Sequence, residues 1–133
     1  MFNIIICEED AKIRNLISAH VNQYLFSIKA SMKVVLSTDK PQKVLEYIKH
    51  NSNQVNIYFF GISFNTDMNG LALAKEVRRY DTSGYLIYIT AYPEFSLKTF
   101  QYKLRVFDYI IKDDDLLANI SETLDAVILK DKI

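Results

Sequence analysis

A chain of 133 residues, half of them apolar, is long enough to bury one core and short enough to be a single domain. Sixteen basic residues cancel sixteen acidic ones, so there is no positive field to hold nucleic-acid phosphates, and the chain is not expected to bind DNA by itself. The one cysteine, Cys7, has no partner for an internal disulfide, no apolar run nears the roughly 20 residues that cross a bilayer, and the first residues lack a signal peptide's positive stretch; a cytoplasmic protein without membrane contact is expected.

Residues 2–7 form a short, β-branched apolar run without alternation, as a strand buried on both faces does. Asp10 is placed to cap a helix whose Ile13, Leu16, Ile17, Val21 and Tyr24 or Leu25 recur at helical spacing. Residues 34–36 read as a second strand. Thr38 or Asp39, with Pro41 just inside, opens a helix through Val44, Leu45 and Ile48 that ends at Asn51-Ser52-Asn53. The third strand is 55–60, and a loop to Asn69-Gly70 leads into a helix carrying Leu71, Leu73, Ala74 and Val77. Ser83-Gly84 turns the chain into strand four, 85–90. A short helix over 94–102 precedes strand five, 105–111, and a last helix with Leu116, Leu117, Ile120, Leu124 and Val127 on one face. Asp113, Asp114 and Asp115 fall in its expected first turn, where the macrodipole favours negative charge. Five strand-helix pairs without repeat or linker predict an α/β fold, a doubly wound parallel sheet between two layers of helices, as one domain over 1–133.

In such a sheet, functional groups collect beyond the carboxyl ends of the strands. Those ends carry Glu8-Glu9-Asp10, Gly61, Thr90 and Lys112, each directly after an apolar run. This set, with Ile-Cys-Glu-Glu-Asp at 6–10, Thr-Asp-Met-Asn-Gly at 66–70 and Ile-Lys-Asp-Asp at 111–114, resembles the receiver domain of response regulators, in the style of LytTR-type quorum-sensing regulators. The resemblance covers almost the whole chain and implies a CheY-like, flavodoxin-like sheet of strand order 2-1-3-4-5. It implies a metal site for Mg2+ at Glu8 and Glu9, a phosphoacceptor position at Gly61, phosphate contacts from Thr90 and Lys112, and an aromatic switch at Tyr109. A sensor histidine kinase would be the phosphoryl donor. A homodimer would form through the fourth helix, fifth strand and last helix, and a DNA-binding domain would follow this chain, the only route to DNA.

The departures from that pattern carry as much information. Glycine has no nucleophilic oxygen, so Gly61 cannot accept a phosphoryl group. A missing carboxylate also weakens a magnesium site, and Glu-Glu in place of the family's Asp moves any ion by about one methylene. Asp113 stands where many receivers carry a proline. With two glutamates against one lysine, Glu8 or Glu9 is expected to reach into the space left by Gly61 and pair with Lys112, giving a metal-free, fixed site without enzymatic turnover.

Each residue also has a plainer meaning. The acidic run caps a helix, Lys112 and Thr90 end strands, Tyr109 packs, and Gly61 is a turn glycine or a substitution that silences a normal acceptor. Ser63 and Asp67, in the loop after strand three, are displaced candidates for the acceptor, Asp67 also being a turn former. The nine tyrosines and eight phenylalanines are expected in the core, except Phe95, Phe100 and Tyr102, which crowd a short helix and suggest an exposed patch. The alternative from another class is a flavodoxin-like cofactor binder, which the acidic run after strand one opposes by repelling phosphate.

Overall fold

The computed structural model describes residues 2–51, 54–64 and 68–131. In chain order it contains β1 (Phe2–Cys7), α1 (Ala11–Ser27), β2 (Met32–Thr38), α2 (Pro41–His50), β3 (Val55–Phe60), α3 (Gly70–Tyr80), β4 (Tyr85–Thr90), α4 (Ser96–Gln101), β5 (Val106–Ile111) and α5 (Leu116–Asp131). The strands form one parallel sheet of order β2-β1-β3-β4-β5, the topology expected.

Period-two geometry divides the apolar runs between two cores. Ile4 and Ile6 of β1 face α1 and α5 with Phe59, Ile87 and Ile89, whereas Ile5 and Cys7 face α2 and α3 with Tyr58, Phe60 and Tyr88. A strand covered on both sides has no solvent face to be polar, which is why β1 is apolar from Ile4 to Cys7, with the buried Asn3 amide donating to the Tyr47 hydroxyl.

Several boundaries differ from expectation for local reasons. Leu16 is exposed, because the buried stripe of α1 runs through Ile17, Val21 and Leu25. The second strand is longer than 34–36 on both sides, since its pairing with β1 continues to the cleft. Lys40, not Thr38 or Asp39, caps α2; Thr38 Oγ1 instead accepts the Lys40 N–H at 3.1 Å. Ser52 and Asn53, expected to end that helix, lie outside the described residues. A 3-10 turn, Pro93–Phe95, takes the start of the expected fourth helix. Arg105 adopts a positive φ of 57° and so stands before β5. Asp113, Asp114 and Asp115 precede α5 rather than forming its first turn, with Asp113 Oδ1 accepting the Asp115 N–H at 2.9 Å. Among the aromatic residues of α4 and its neighbours, Phe100 and Tyr102 are exposed, while Phe95 packs partly against the core.

The start of α3 bears directly on the cleft. Its Asn69 cap accepts the Ala72 N–H, and the Gly70 N–H donates to the Ile62 carbonyl at 2.6 Å. A Cβ at Gly70 would stand 2.0 Å from the Gly61 carbonyl oxygen, so only glycine lets the helix approach the end of β3 this closely.

Candidate functional site

The ends of β1, β3, β4 and β5 are laced together by main-chain bonds. Gly61 N–H donates to the Cys7 carbonyl at 2.9 Å, and Lys112 N–H to the Thr90 carbonyl at 2.9 Å. Beyond β1, the Glu8 N–H donates to the Thr38 carbonyl, and Arg14 Nη1 donates to the Glu8 carbonyl at 2.8 Å and the Glu9 carbonyl at 3.3 Å. The acidic turn is thereby held rigidly. Glu8, Glu9, Asp10, Ser63, Thr90 and Lys112 line one open cleft of about 540 Å3. Gly61 is buried beside Glu8, and the next residue, Ile62, is among those that line the cleft.

The two acids after β1 part company. Glu8 turns inward and is 4% exposed; its Oε2 accepts the Asp10 N–H at 3.0 Å, and its Oε1 lies 2.8 Å from the Lys112 ammonium. Oε1 receives no aligned hydrogen bond among the described residues, so its charge is balanced by the proximity of the ammonium rather than by a directed donor. Glu9 is half-buried and forms no ion pair among the described residues. Asp10 caps α1, accepting from the Lys12 and Ile13 N–H groups. A Cβ built on Gly61 would stand 3.0 Å from Glu8 Oε1, so the carboxylate occupies the space into which any side chain at 61 would project.

Thr90 is buried at the end of β4, and its Oγ1 accepts the Tyr92 N–H at 3.1 Å. The Tyr92 carbonyl in turn accepts the Tyr109 hydroxyl at 2.6 Å. Tyr109 also packs at a tilt on Tyr88, and burial, with the nearby Glu94 charge, pushes its phenol up to about 12. Cys7, directly before Glu8, is fully buried; burial first, then the charges of Glu8 and Asp39, push its thiol up to about 12, leaving it protonated and unreactive near neutrality.

The magnesium ion implied by the resemblance does not fit this donor set. Mg2+ requires oxygen ligands at about 2.0–2.1 Å in near-octahedral array. Glu8 is already engaged by an ammonium and an N–H, and Gly61 adds no carboxylate.

Sequence reasoning did not foresee Arg14 as the clamp of the acidic turn; its position one turn into α1 was the sole signal. Nor did it foresee the Tyr92 carbonyl, a backbone group that carries no sequence signal. Asp67 lies outside the described residues, while Ser63 is exposed at the rim. His20 is engaged away from the cleft, with Nε2 2.8 Å from Ser121 Oγ, and His50 lies at the exposed end of α2.

A five-stranded parallel sheet with acids, a hydroxyl and a lysine at the ends of β1, β4 and β5 defines the receiver class. The profile of the response regulator receiver domain matches residues 4–121, and the chain belongs to that family. It is 39% identical over 111 residues to accessory gene regulator protein A of Staphylococcus aureus (strain N315), covering 84% of this chain and 46% of that protein. The chain thus spans about half the length of the curated relatives it matches. Among solved structures, the response regulatory domain of protein mrkE from Klebsiella pneumoniae matches with a TM-score of 0.79 at 25% identity, over 96% of each chain. The REC domain of AraT from Geobacillus stearothermophilus matches with a TM-score of 0.73 at 26% identity, over 98% of each. Membership of the receiver family leaves the flavodoxin-like cofactor binder with only the shared topology to support it. No helix among the described residues is long and apolar enough to cross a membrane.

Proposed function

We propose that this chain is the regulatory receiver of a longer, cytoplasmic transcription regulator, and that its output does not depend on phosphorylation at residue 61. The observation that carries this reading is Gly61 at the end of β3 with the Glu8 carboxylate over it. Transfer from a phosphohistidine requires an oxygen that forms the new O–P bond as the N–P bond breaks, and glycine supplies none. Thr90 and Lys112 keep the positions of phosphate contacts, and Tyr109 that of the switch, but Lys112 is committed to Glu8. Signalling then rests on interaction: a sensor kinase or other partner docks on the domain, and a homodimer forms through α4, β5 and α5, where Leu97 and Phe100 stand 65% and 81% exposed. DNA is reached through an attached domain.

Incubation with acetyl phosphate followed by intact-mass measurement tests the reading. No phosphoryl mass is expected on this chain under conditions that label a receiver with an aspartate acceptor. A second reading places the acceptor at Ser63 or Asp67, favoured by the position of Ser63 on the cleft shared with Thr90 and Lys112. A mass gain mapped by fragmentation to either residue would establish that reading and overturn the first.

A further inference from the structure

We infer that Lys112 is the built-in cation of this cleft: its ammonium, seated on Glu8, keeps divalent metal out as long as the pair is intact. The inference rests on reading the cleft as a receiver site and goes beyond the loss of an acceptor. A receiver lacking only its nucleophile would still offer two acids to a metal ion. Here the inward acid is withdrawn, because Oε1 stands 2.8 Å from the ammonium and Oε2 is tied to the Asp10 N–H. Glu9 remains as one half-buried carboxylate, and among the described residues no second free carboxylate stands beside it to complete the usual magnesium shell of acids, phosphate oxygens and water. A magnesium ion entering beside Glu8 would also meet a unit positive charge a few ångströms away, in a place where Glu8 is nearly dry.

Residues 8 and 61 are coupled by the same geometry. The Cβ position of residue 61 lies 3.0 Å from Glu8 Oε1, closer than ordinary contact, so a side chain there obliges the carboxylate to give way. Gly61→Asp alone therefore adds a second carboxylate against the first and competes for one ammonium. Shortening the acid as well, in Glu8→Asp with Gly61→Asp, opens the room that both groups need.

Thermal melts and amide NMR spectra of the full chain, with and without millimolar magnesium chloride, test the inference. For the unsubstituted chain the expected result is no magnesium-dependent rise in Tm and no saturable shifts at residues 8–10 and 112. Lys112→Met is expected to gain a magnesium-dependent rise in Tm, because the ion takes the ammonium's place. Saturable magnesium shifts at residues 8–10 in the unsubstituted chain overturn the inference, and so does a folded Lys112→Met variant that ignores magnesium. If Lys112→Met does not fold, Lys112→Gln, which removes the charge but keeps a polar side chain, decides: saturable magnesium binding supports the inference and its absence overturns it. Acetyl phosphate labelling of the unsubstituted chain overturns the proposed function whatever magnesium does, so the two failures are distinguishable.

Discussion

Two carboxylates sit at opposite ends of the sheet and are handled in opposite ways. At the amino end, Asp81 is saturated: Oδ1 accepts the Ser83 and Gly84 N–H groups, and Oδ2 accepts the Tyr58 hydroxyl at 2.5 Å and the Asn56 amide at 3.2 Å. Arg78 clamps the same corner by donating to the Gly84, Asp81 and Leu104 carbonyls. At the carboxyl end, Glu8 has one backbone donor and one ammonium, with open cleft above. The first carboxylate is built into the fold by many directed bonds. The second is held by one backbone N–H and one exchangeable charge, the arrangement from which a site can be made or silenced.

The largest effect is expected at the saturated end. Asp81→Ala strands the Tyr58 hydroxyl and several N–H groups at once, and unpaired buried donors cost about 1–3 kcal/mol each, so urea unfolding should show a loss of roughly 3 kcal/mol or more. A loss below about 1 kcal/mol would erase the contrast between the two ends.

Next is Lys112→Met, which leaves Glu8 buried without its counter-charge and is expected to cost roughly 3 kcal/mol. Adding Glu8→Met should recover much of that loss, since replacing both members of a buried pair with apolar groups is often neutral or stabilising. Chemical denaturation of the two variants measures this; a double variant no more stable than the single one would show that the pair is not what Glu8 needs.

Smaller and dependent on pH is the contribution of Cys7. Its thiol sits near 12 in the folded chain but near 8.5 when unfolded, so the folded state keeps a proton that the unfolded state releases. Stability should therefore fall as pH rises above about 8.5, by about 2 kcal/mol at most by pH 10 from this group. Comparison with Cys7→Ala at pH 7 and pH 10 isolates that share from the buried tyrosines, and native thiol labelling at pH 7.5 should be slow until denaturant is added. The smallest change is Tyr109→Phe, which deletes the bond to the Tyr92 carbonyl for about 1 kcal/mol and should leave magnesium and acetyl phosphate responses as they were.

Most of the fold was legible because both cores are built from strands and helices with strong apolar patterns: β3 and β4 fall on their predicted limits, Asp10 caps as expected, and the loop gives way to α3 at Asn69-Gly70. The boundaries that moved depend on information no pattern carries, such as the strand pairing that lengthens β2 or the turn bonds that hold Asp113 and Asp115 before α5. At the cleft, residue types and strand ends identified the groups, and the charge count anticipated an acid paired with Lys112. Which acid it is follows from Arg14 and the Asp10 N–H, which fix the turn and hold the Glu8 side chain inward. Neither partner is visible as a motif, and a close approach such as Gly70 on Gly61 is a tertiary fact that a turn glycine in the sequence does not announce.

A crystal structure of the chain grown from magnesium-containing solution examines the central claim most directly. The Glu8 carboxylate is expected over Gly61, with Oε1 at ion-pair distance from the Lys112 ammonium and no metal in the cleft. A magnesium ion liganded by Glu8 or Glu9, with Lys112 turned away, would contradict it.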